Sequence, residues 1–597
     1  MKNLIDKSEL ISKLQTLEGL TVDERSSLIG LLREHKKYGL VWEDKPEDVE
    51  ERLREKLPVL REVKDKAILS GEPDAPNHIL IEGDNLEALT ALSYTHEGRI
   101  DVIYIDPPYN TGNKDFVYND SFVDSEDSYR HSKWLSFMNK RLKIAKKLLS
   151  DKGVIFISIN TIECSQLKML CDEVFVERNL VGHLTWESTT QPTNAGSARF
   201  GLQQKVESIL MYAKCKANVT GYNLKELDNG LSYPHQGKFG VCRLEIIEKS
   251  DAGAYNRESM KFPILGHYPR SGKRWQIGID TAKELVERGR IEIVEGIVKR
   301  AVYPEDEIDK KSYEPFWSHF TADVYGTAQT GKEELNTIIG KPVGFDTVKP
   351  VSLISKLLFH ASKTSSTILD FFAGSGTTLH ATMQLNAEDG GHRQCILVTN
   401  NENNICEEVT YERNKRVING YTTPKGVEVA GLKANTLRYY KTDYIPRERT
   451  QRNMRALVAA ATDLLCIKED LYEELTNFGR LKLRPQLARY FDNGRKHMLI
   501  VYREELIDEL VEEIRSLPPA PAQERGKLKV YVFSPGRYPF TDNFREVEDK
   551  VELVALPAAI YDAYQKVLPK RREKLFAEEK NQEETTIPTS LSDEQGV

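Results

Sequence analysis

From Asn77 onward the chain alternates short continuous apolar runs with stretches of helical periodicity. HILIEGD, DVIYIDPPY and GVIFISI are strand-like, and NLEALTAL and KWLSFMNKRLKIAKKLL between them are helix-like. Strands without polar alternation, separated by helices, predict a parallel α/β sheet with both faces covered. VESILMYAK, residues 206–214, is a further strand candidate. Residues 219–345 lose this rhythm and are rich in Gly, aromatic and basic positions. The pattern resumes at VKPVSLISKLLF, TSSTILDFFAGSGTT and RQCILVTNNE.

One α/β domain therefore arrives in two pieces, 71–218 and 346–440, with a separate unit, 219–345, inserted between them. Residues 1–70 read as helices: Thr21 and Glu24 form a capping-box pattern before LIGLLREH, and Pro46 opens EDVEERLREKL. Residues 441–575 mix strands (HMLIVY, KVYVFS) with an acidic helix, ELIDELVEEIRSL, and form an α+β C-terminal domain. The polar tail 576–597 is expected to be disordered.

Composition narrows this little. A length of 597 residues suggests several domains, and 40% hydrophobic with 29% charged residues is ordinary for a protein with a packed core. The seven cysteines contain no CxxC pair, so neither a disulfide framework nor a metal site is expected. No run approaches the ~18 apolar residues of a membrane span, and the N-terminus lacks a signal-peptide core, so a cytoplasmic protein without membrane contact is expected. The net charge of −7 does not advertise nucleic-acid binding, although a basic groove can sit on an acidic protein.

Chemistry enters with TILDFFAGSGTT, residues 367–378: an apolar strand ending in Asp370, a loop holding Phe372, Gly374 and Gly376, then a helix. Small residues let backbone approach a ligand closely, and a helix N-terminus offers free N–H groups; ordinary strand-to-helix turns use glycine equally well. The F-x-G-x-G spacing resembles the S-adenosylmethionine loop of amino-methyltransferases and departs from the dinucleotide fingerprint. Glu402, which ends ILVTNNE, is placed to take ribose hydroxyls, or is a solvent-facing loop glutamate. Gly326–Lys332 imitates a nucleotide-triphosphate loop, but Glu333 replaces the Mg²⁺-binding hydroxyl and no strand precedes it.

The strongest signal is DVIYIDPPYNTG, residues 101–112, which delivers Asp106, Pro107, Pro108 and Tyr109 to a strand end. An exocyclic amine of adenine is a poor nucleophile because its lone pair is delocalised into the ring. The Asp106 carboxylate and the Pro107 carbonyl can accept its two N–H bonds, and two prolines fix those acceptors in advance. Tyr109 offers a π-face for a base swung out of the duplex.

DPPY resembles the signature of DNA amino-methyltransferases acting on adenine N6. The chain order, DPPY first and FAGSG last, resembles the β group of these enzymes, as does GDNLEAL at 83–89. The resemblance implies that Asp84 contacts the cofactor adenine and that Lys349, opening KPVSLISKLL, lines the methionine end of the pocket. YNDSFVDSEDSYRHSKWLSFMNKRLKIAKKLL, RYYKTDYIP and DLLCIKEDLYEEL narrow it to modification subunits of type III restriction-modification systems. That family implies a Rossmann-like seven-stranded sheet with circularly permuted motif order, S-adenosylmethionine as cofactor, double-stranded DNA as substrate, a homodimer, and a separate ATP-dependent restriction subunit. A solitary adenine methyltransferase, a catalytically inactive DNA-binding relative and an RNA methyltransferase are the competing readings.

Specificity is expected in the insert. PRSGKRWQIG places Arg270, Lys273 and Arg274 beside Trp275, a set able to hold phosphates, read base edges or stack; the alternative is a solvated basic turn around a buried tryptophan.

Overall fold

The computed structural model describes residue 17 and residues 40–112, 115–119, 121–192, 196, 199, 201–227, 232–252, 257–307, 312–345, 347–517 and 526–570. The expected capping box at Thr21 and the tail 576–597 lie outside these residues. They form two compact units, one from residues up to Gly221 together with those from Ser318, the other Tyr222–Trp317.

The first unit is built on one sheet. Its strands are β1 (Lys56–Glu62), β2 (Asn77–Glu82), β3 (Ile100–Ile105), β4 (Leu149–Ile159), β5 (Leu180–Glu187), β6 (Val206–Ala213), β7 (His319–Phe320), β8 (Thr367–Asp370), β9 (Gln394–Thr399) and β10 (Thr436–Pro446). They lie in the order β1-β10-β2-β9-β8-β3-β4-β6-β5-β7. Seven consecutive strands, β2 to β5 in that order, make the expected Rossmann-like sheet, and β1, β10 and β7 extend it to ten. The order reverses between β8 and β3, and open α/β sheets bind ligands at such a point, beyond the strand C-termini. β6 runs antiparallel to both β4 and β5, so the sheet is mixed rather than parallel throughout.

The central strands read as unbroken apolar runs because both faces are covered. Ile79, Leu80, Ile81, Val102, Ile103, Ile105, Ile155 and Ile157 are all inaccessible to solvent or nearly so. Helix α1 (Asp48–Glu55) is followed by α2 (Asn85–Thr95), whose N-cap Asp84 accepts the Leu86 amide at 2.7 Å, and by α3 (Arg130–Leu148). Helices α4 (Ala328–Ile339), α5 (Val351–Ala361), α6 (Thr377–Asp389) and α7 (Gln451–Glu469) complete the layers; α2 packs on α3, and α5 on α6.

Three expected boundaries shift. The segment expected to be helical to residue 70 contains α1, but Lys56–Glu62 is the edge strand β1, where Leu57, Val59 and Leu60 are buried and Pro58 is tolerated. Residues 318–345, assigned to the insert, join the first unit: β7 pairs with β5, and α4 packs below the segment leading to α5. The C-terminal region is not a separate body. β10 runs across residue 441 as a strand of the main sheet. The five-stranded C-terminal sheet sends Met498 and Ile500 into the main core, while Leu499 and Val501 face its own, as a period of two requires.

The second unit holds a four-stranded antiparallel sheet of His235–Gly237, Gly240–Ile246, Ile297–Val302 and Ile291–Val294, together with the α-helix Ile279–Glu287. Its core gathers Ile247, Phe262, Ile264, Trp275 and Val298.

Candidate active site

The tetrapeptide directly follows the end of β3. Pro107 is buried, while Asp106, Pro108 and Tyr109 are partly exposed. The turn beyond is fixed by Asn110, which has φ +58° and donates from its buried amide to Glu163 Oε1 at 2.6 Å. Trp134 of α3 donates its indole N–H to the Pro108 carbonyl at 2.7 Å.

Both carboxylate oxygens of Asp106 are engaged. The Tyr109 hydroxyl donates to Oδ1 at 2.8 Å, and Lys349 Nζ donates to Oδ2 at 2.8 Å. Lys349 also reaches the Tyr109 hydroxyl at 2.8 Å and stands 3.3 Å from Glu207 Oε2. Its side chain is only 5% exposed, and the Trp186 ring centroid lies 5.5 Å away. Burial alone would lower the Lys349 pKa, but the Asp106 and Glu207 carboxylates outweigh it and hold the ammonium above its usual value. Burial, reinforced by Asp106 and Glu207, raises the Tyr109 phenol far above its ordinary range, so it stays a neutral donor.

Beside this cluster opens a cavity of about 450 Å³, within the range of small-molecule sites. Asp84, Asp106, Phe372, Gly374 and Glu402 all line it, with Phe116, Phe137, Arg141 and Asn85. Phe137 packs against Phe372 with centroids 5.8 Å apart and lies under the Arg141 guanidinium at 3.6 Å. Arg141 is wholly buried; its Nη1 is held by Glu47 at 2.9 Å, while Nη2 makes no hydrogen bond and stands 3.5 Å from Asp84 Oδ2. Among the described residues a larger cavity, about 750 Å³, is lined by Lys143, Lys147 and Lys566 but holds none of these residues.

Three expected cofactor residues fall elsewhere. Lys349 does not line the cavity; it is bonded to the tetrapeptide. Asp370 is buried and ties the loop, accepting the Phe372 amide at 3.0 Å and the Thr378 hydroxyl at 2.6 Å. Gly376, at φ +73°, serves packing: a Cβ there would stand 2.5 Å from Asn414 Nδ2. Gly374, at φ +46°, differs, since the nearest atom to its absent Cβ is 3.7 Å away. The Gly-Lys loop imitating a phosphate site lies mostly inside α4, capped by Thr327 and Thr330, so it cradles nothing. Its Gly331 instead packs on backbone: a Cβ would meet the Val348 carbonyl oxygen at 2.2 Å, directly before Lys349.

In the second unit the stacking role expected of Trp275 is corrected. Trp275 is 0% exposed and donates to the Phe262 carbonyl at 2.7 Å; it belongs to the core and presents no face for stacking. Arg274 is mostly buried, 3.8 Å from Asp251, and Arg270 is half exposed but holds Glu248 Oε2 at 2.6 Å. Lys273 lies in the short strand Lys273–Trp275, paired with Ser250.

Glu207, Trp134 and Arg141 were not anticipated. Glu207 opens an apolar strand, and only the antiparallel course of β6 brings its start to the C-terminal edge of the parallel strands.

Residues 100–419 match the model of the N6/N4 methyltransferase family, described as DNA methylase. The chain is 33% identical over 356 residues to the type III restriction-modification enzyme StyLTI Mod subunit of Salmonella typhimurium, covering 54% of this chain and 52% of that protein. It is 30% identical over 378 residues to the type II methyltransferase M.KpnI of Klebsiella pneumoniae, covering 58% of this chain and 87% of that protein. With the EcoP15I Mod subunit of Escherichia coli it shares 29% identity over 418 residues, 58% of this chain and 61% of the relative. The matched region thus spans about half of the StyLTI subunit and most of M.KpnI. With the tetrapeptide, the glycine loop and the cavity gathered at one sheet edge, and more than half of the sequence matched, the chain belongs to the N6/N4 DNA methylase family.

Proposed function

We propose that the protein is a site-specific DNA adenine-N6 methyltransferase using S-adenosylmethionine, and that it serves as the modification and recognition subunit of a type III restriction-modification system. The observation that carries the chemistry is the placement of Asp106: it lines the cavity and is held from behind by Lys349 and Tyr109. DPPY, rather than a serine-led tetrapeptide, favours adenine over cytosine.

The cavity residues fit the cofactor. Asp84 and Glu402 are acceptors for adenine and ribose, Phe372 and Phe137 are apolar walls, and the unbonded Arg141 Nη2 is a donor for a carboxylate. Gly374 leaves the wall open where a side chain would intrude. When bound, S-adenosylmethionine supplies an electrophilic methyl group carried on a sulfonium.

The chain's own residues do the rest. Asp106 accepts one N–H of the adenine amine, and the Pro107 carbonyl accepts the other; the Pro108 carbonyl is already taken by Trp134. Two acceptors favour a tetrahedral nitrogen with its lone pair aimed into the cavity. Tyr109, anchored through its hydroxyl, fixes a ring plane against which the extruded base stacks. Lys349 stays protonated against Asp106, and positioning rather than metal chemistry is asked of the site.

The type III assignment rests on the relatives named Mod subunits, and it implies a DNA duplex, a dimer and a restriction subunit as partners. The test is transfer of labelled methyl from S-adenosylmethionine to duplex DNA, followed by nucleoside analysis. N6-methyladenine at one sequence context supports the reading; N4-methylcytosine, or transfer to RNA alone, contradicts it.

A further inference from the structure

In the second unit, His235, Cys242 and Glu292 bring three metal-binding atoms within 4.8 Å of one another. His235 and Cys242 are direct cross-strand partners in the hairpin of His235–Gly237 and Gly240–Ile246. Pleating therefore projects both side chains from one face. Glu292 comes from Ile291–Val294, the opposite edge of the same four-stranded sheet. The sheet curls until Glu292 Oε2 lies 2.8 Å from His235 Nε2. Cys242 is 0% exposed, whereas the Glu292 and His235 side chains are 19% and 32% exposed, so the trio has a closed floor and an accessible mouth.

Gly237 supplies an independent observation. A Cβ there would stand 2.7 Å from Glu292 Oε1, 2.7 Å from the Tyr303 hydroxyl and 2.8 Å from Cys242 Sγ. Its φ lies outside the left-handed region, so the backbone does not call for glycine. Because Gly237 carries no side chain, the Cys242 sulfur, the Glu292 carboxylate and the Tyr303 phenol converge beside its α-carbon more closely than any Cβ would allow.

The donor set selects the ion. Hard cations such as Mg²⁺ and Ca²⁺ take oxygen ligands, while one thiolate, one imidazole and one carboxylate at about 2.0–2.3 Å suit Zn²⁺. We propose that the second unit binds one zinc ion through His235 Nε2, Cys242 Sγ and the Glu292 carboxylate, with water in the fourth position. On binding, the Cys242 thiol proton passes to solvent, and the His235–Glu292 hydrogen bond gives way to two bonds to the ion. The ion clamps the two edges of the sheet together and fixes the hairpin turn between Gly237 and Gly240.

The test uses the purified full-length chain, stripped with chelator and titrated with Zn²⁺ against a chromophoric competitor. One equivalent should bind, and Co²⁺ in its place should give a thiolate charge-transfer band. Cys242→Ser should abolish that band, and His235→Gln and Glu292→Gln, which leave the buried floor intact, should each weaken Zn²⁺ by at least about tenfold, the lower end of the loss seen even for outer-shell changes. Absence of stoichiometric Zn²⁺ binding by the wild type overturns the proposal. So does wild-type affinity in His235→Gln and Glu292→Gln, or a charge-transfer band that survives Cys242→Ser.

Discussion

Lys349 Nζ lies 2.8 Å from Asp106 Oδ2, joining the start of the second sequence piece to a tetrapeptide 243 positions earlier. The contact holds the Asp106 carboxylate through Oδ2, and Glu207 balances the buried cation. Lys349 is therefore a positioning residue in this account, not a wall of the cofactor cavity. Lys349→Met should lower kcat for methylation by about a hundredfold or more, the scale for losing one preorganised electrostatic contact, while cofactor affinity stays within about threefold. Glu207→Gln should act in the same direction but less. Calorimetry with the cofactor and single-turnover kinetics separate these quantities; loss of cofactor affinity with unchanged kcat would restore Lys349 to the cavity wall.

The strand-and-glycine skeleton of this site was legible in the sequence because it is local. Apolar runs marked β2, β3, β8 and β9, and DPPY and FAGSG stand at the ends of two of them. What escaped was non-local. Glu207 reaches Tyr109 only because β6 is antiparallel, and Arg141 reaches Asp84 only because α3 crosses α2. Trp275 looked like a stacking aromatic beside basic residues, but a short strand turns it into the core, which sequence spacing over a few residues cannot reveal.

The two loop glycines should separate by function. Gly376→Ala drives a Cβ into Asn414 and should cost stability by about 1–3 kcal/mol, the range for overpacking. Gly374→Val places a Cβ no closer than 3.7 Å to any neighbour, so beyond a strain of about 1–2 kcal/mol for a left-handed residue its main effect should be weaker cofactor binding. Thermal denaturation and cofactor titration of both variants check this, and equal cofactor affinity for Gly374→Val and wild type would remove that glycine from the site.

Gly331 links packing to catalysis. Its α-carbon is pressed against the Val348 carbonyl, so Gly331→Ala must move either α4 or the strand of chain carrying Lys349. Methylation should fall together with melting temperature. A variant that melts like wild type and methylates normally would contradict this packing.

Asp370 gives a pH signature. Burial pushes its carboxyl up to about 7, against the Thr378 hydroxyl and the Phe372 amide, which pull it down. An unfolded Asp ionises near 3.8. Between those values the folded chain keeps a proton that the unfolded chain has released, so this group lowers stability as pH rises from about 4 to about 7, and the penalty then levels off. Asp370→Asn removes the titration. Measured by denaturant unfolding, the stability of the variant relative to wild type should rise across that window, by an amount on the order of a few kcal/mol. A difference independent of pH would show that Asp370 does not carry this proton.

The central claim is that Asp106 addresses the target amine and not the methyl donor. Asp106→Ala, assayed with labelled S-adenosylmethionine and duplex DNA and titrated with the cofactor by calorimetry, tests it most directly. Methyl transfer lost by at least about a hundredfold with cofactor binding retained is the predicted result. A folded variant that still methylates adenine, or one that has lost its cofactor affinity, would contradict it.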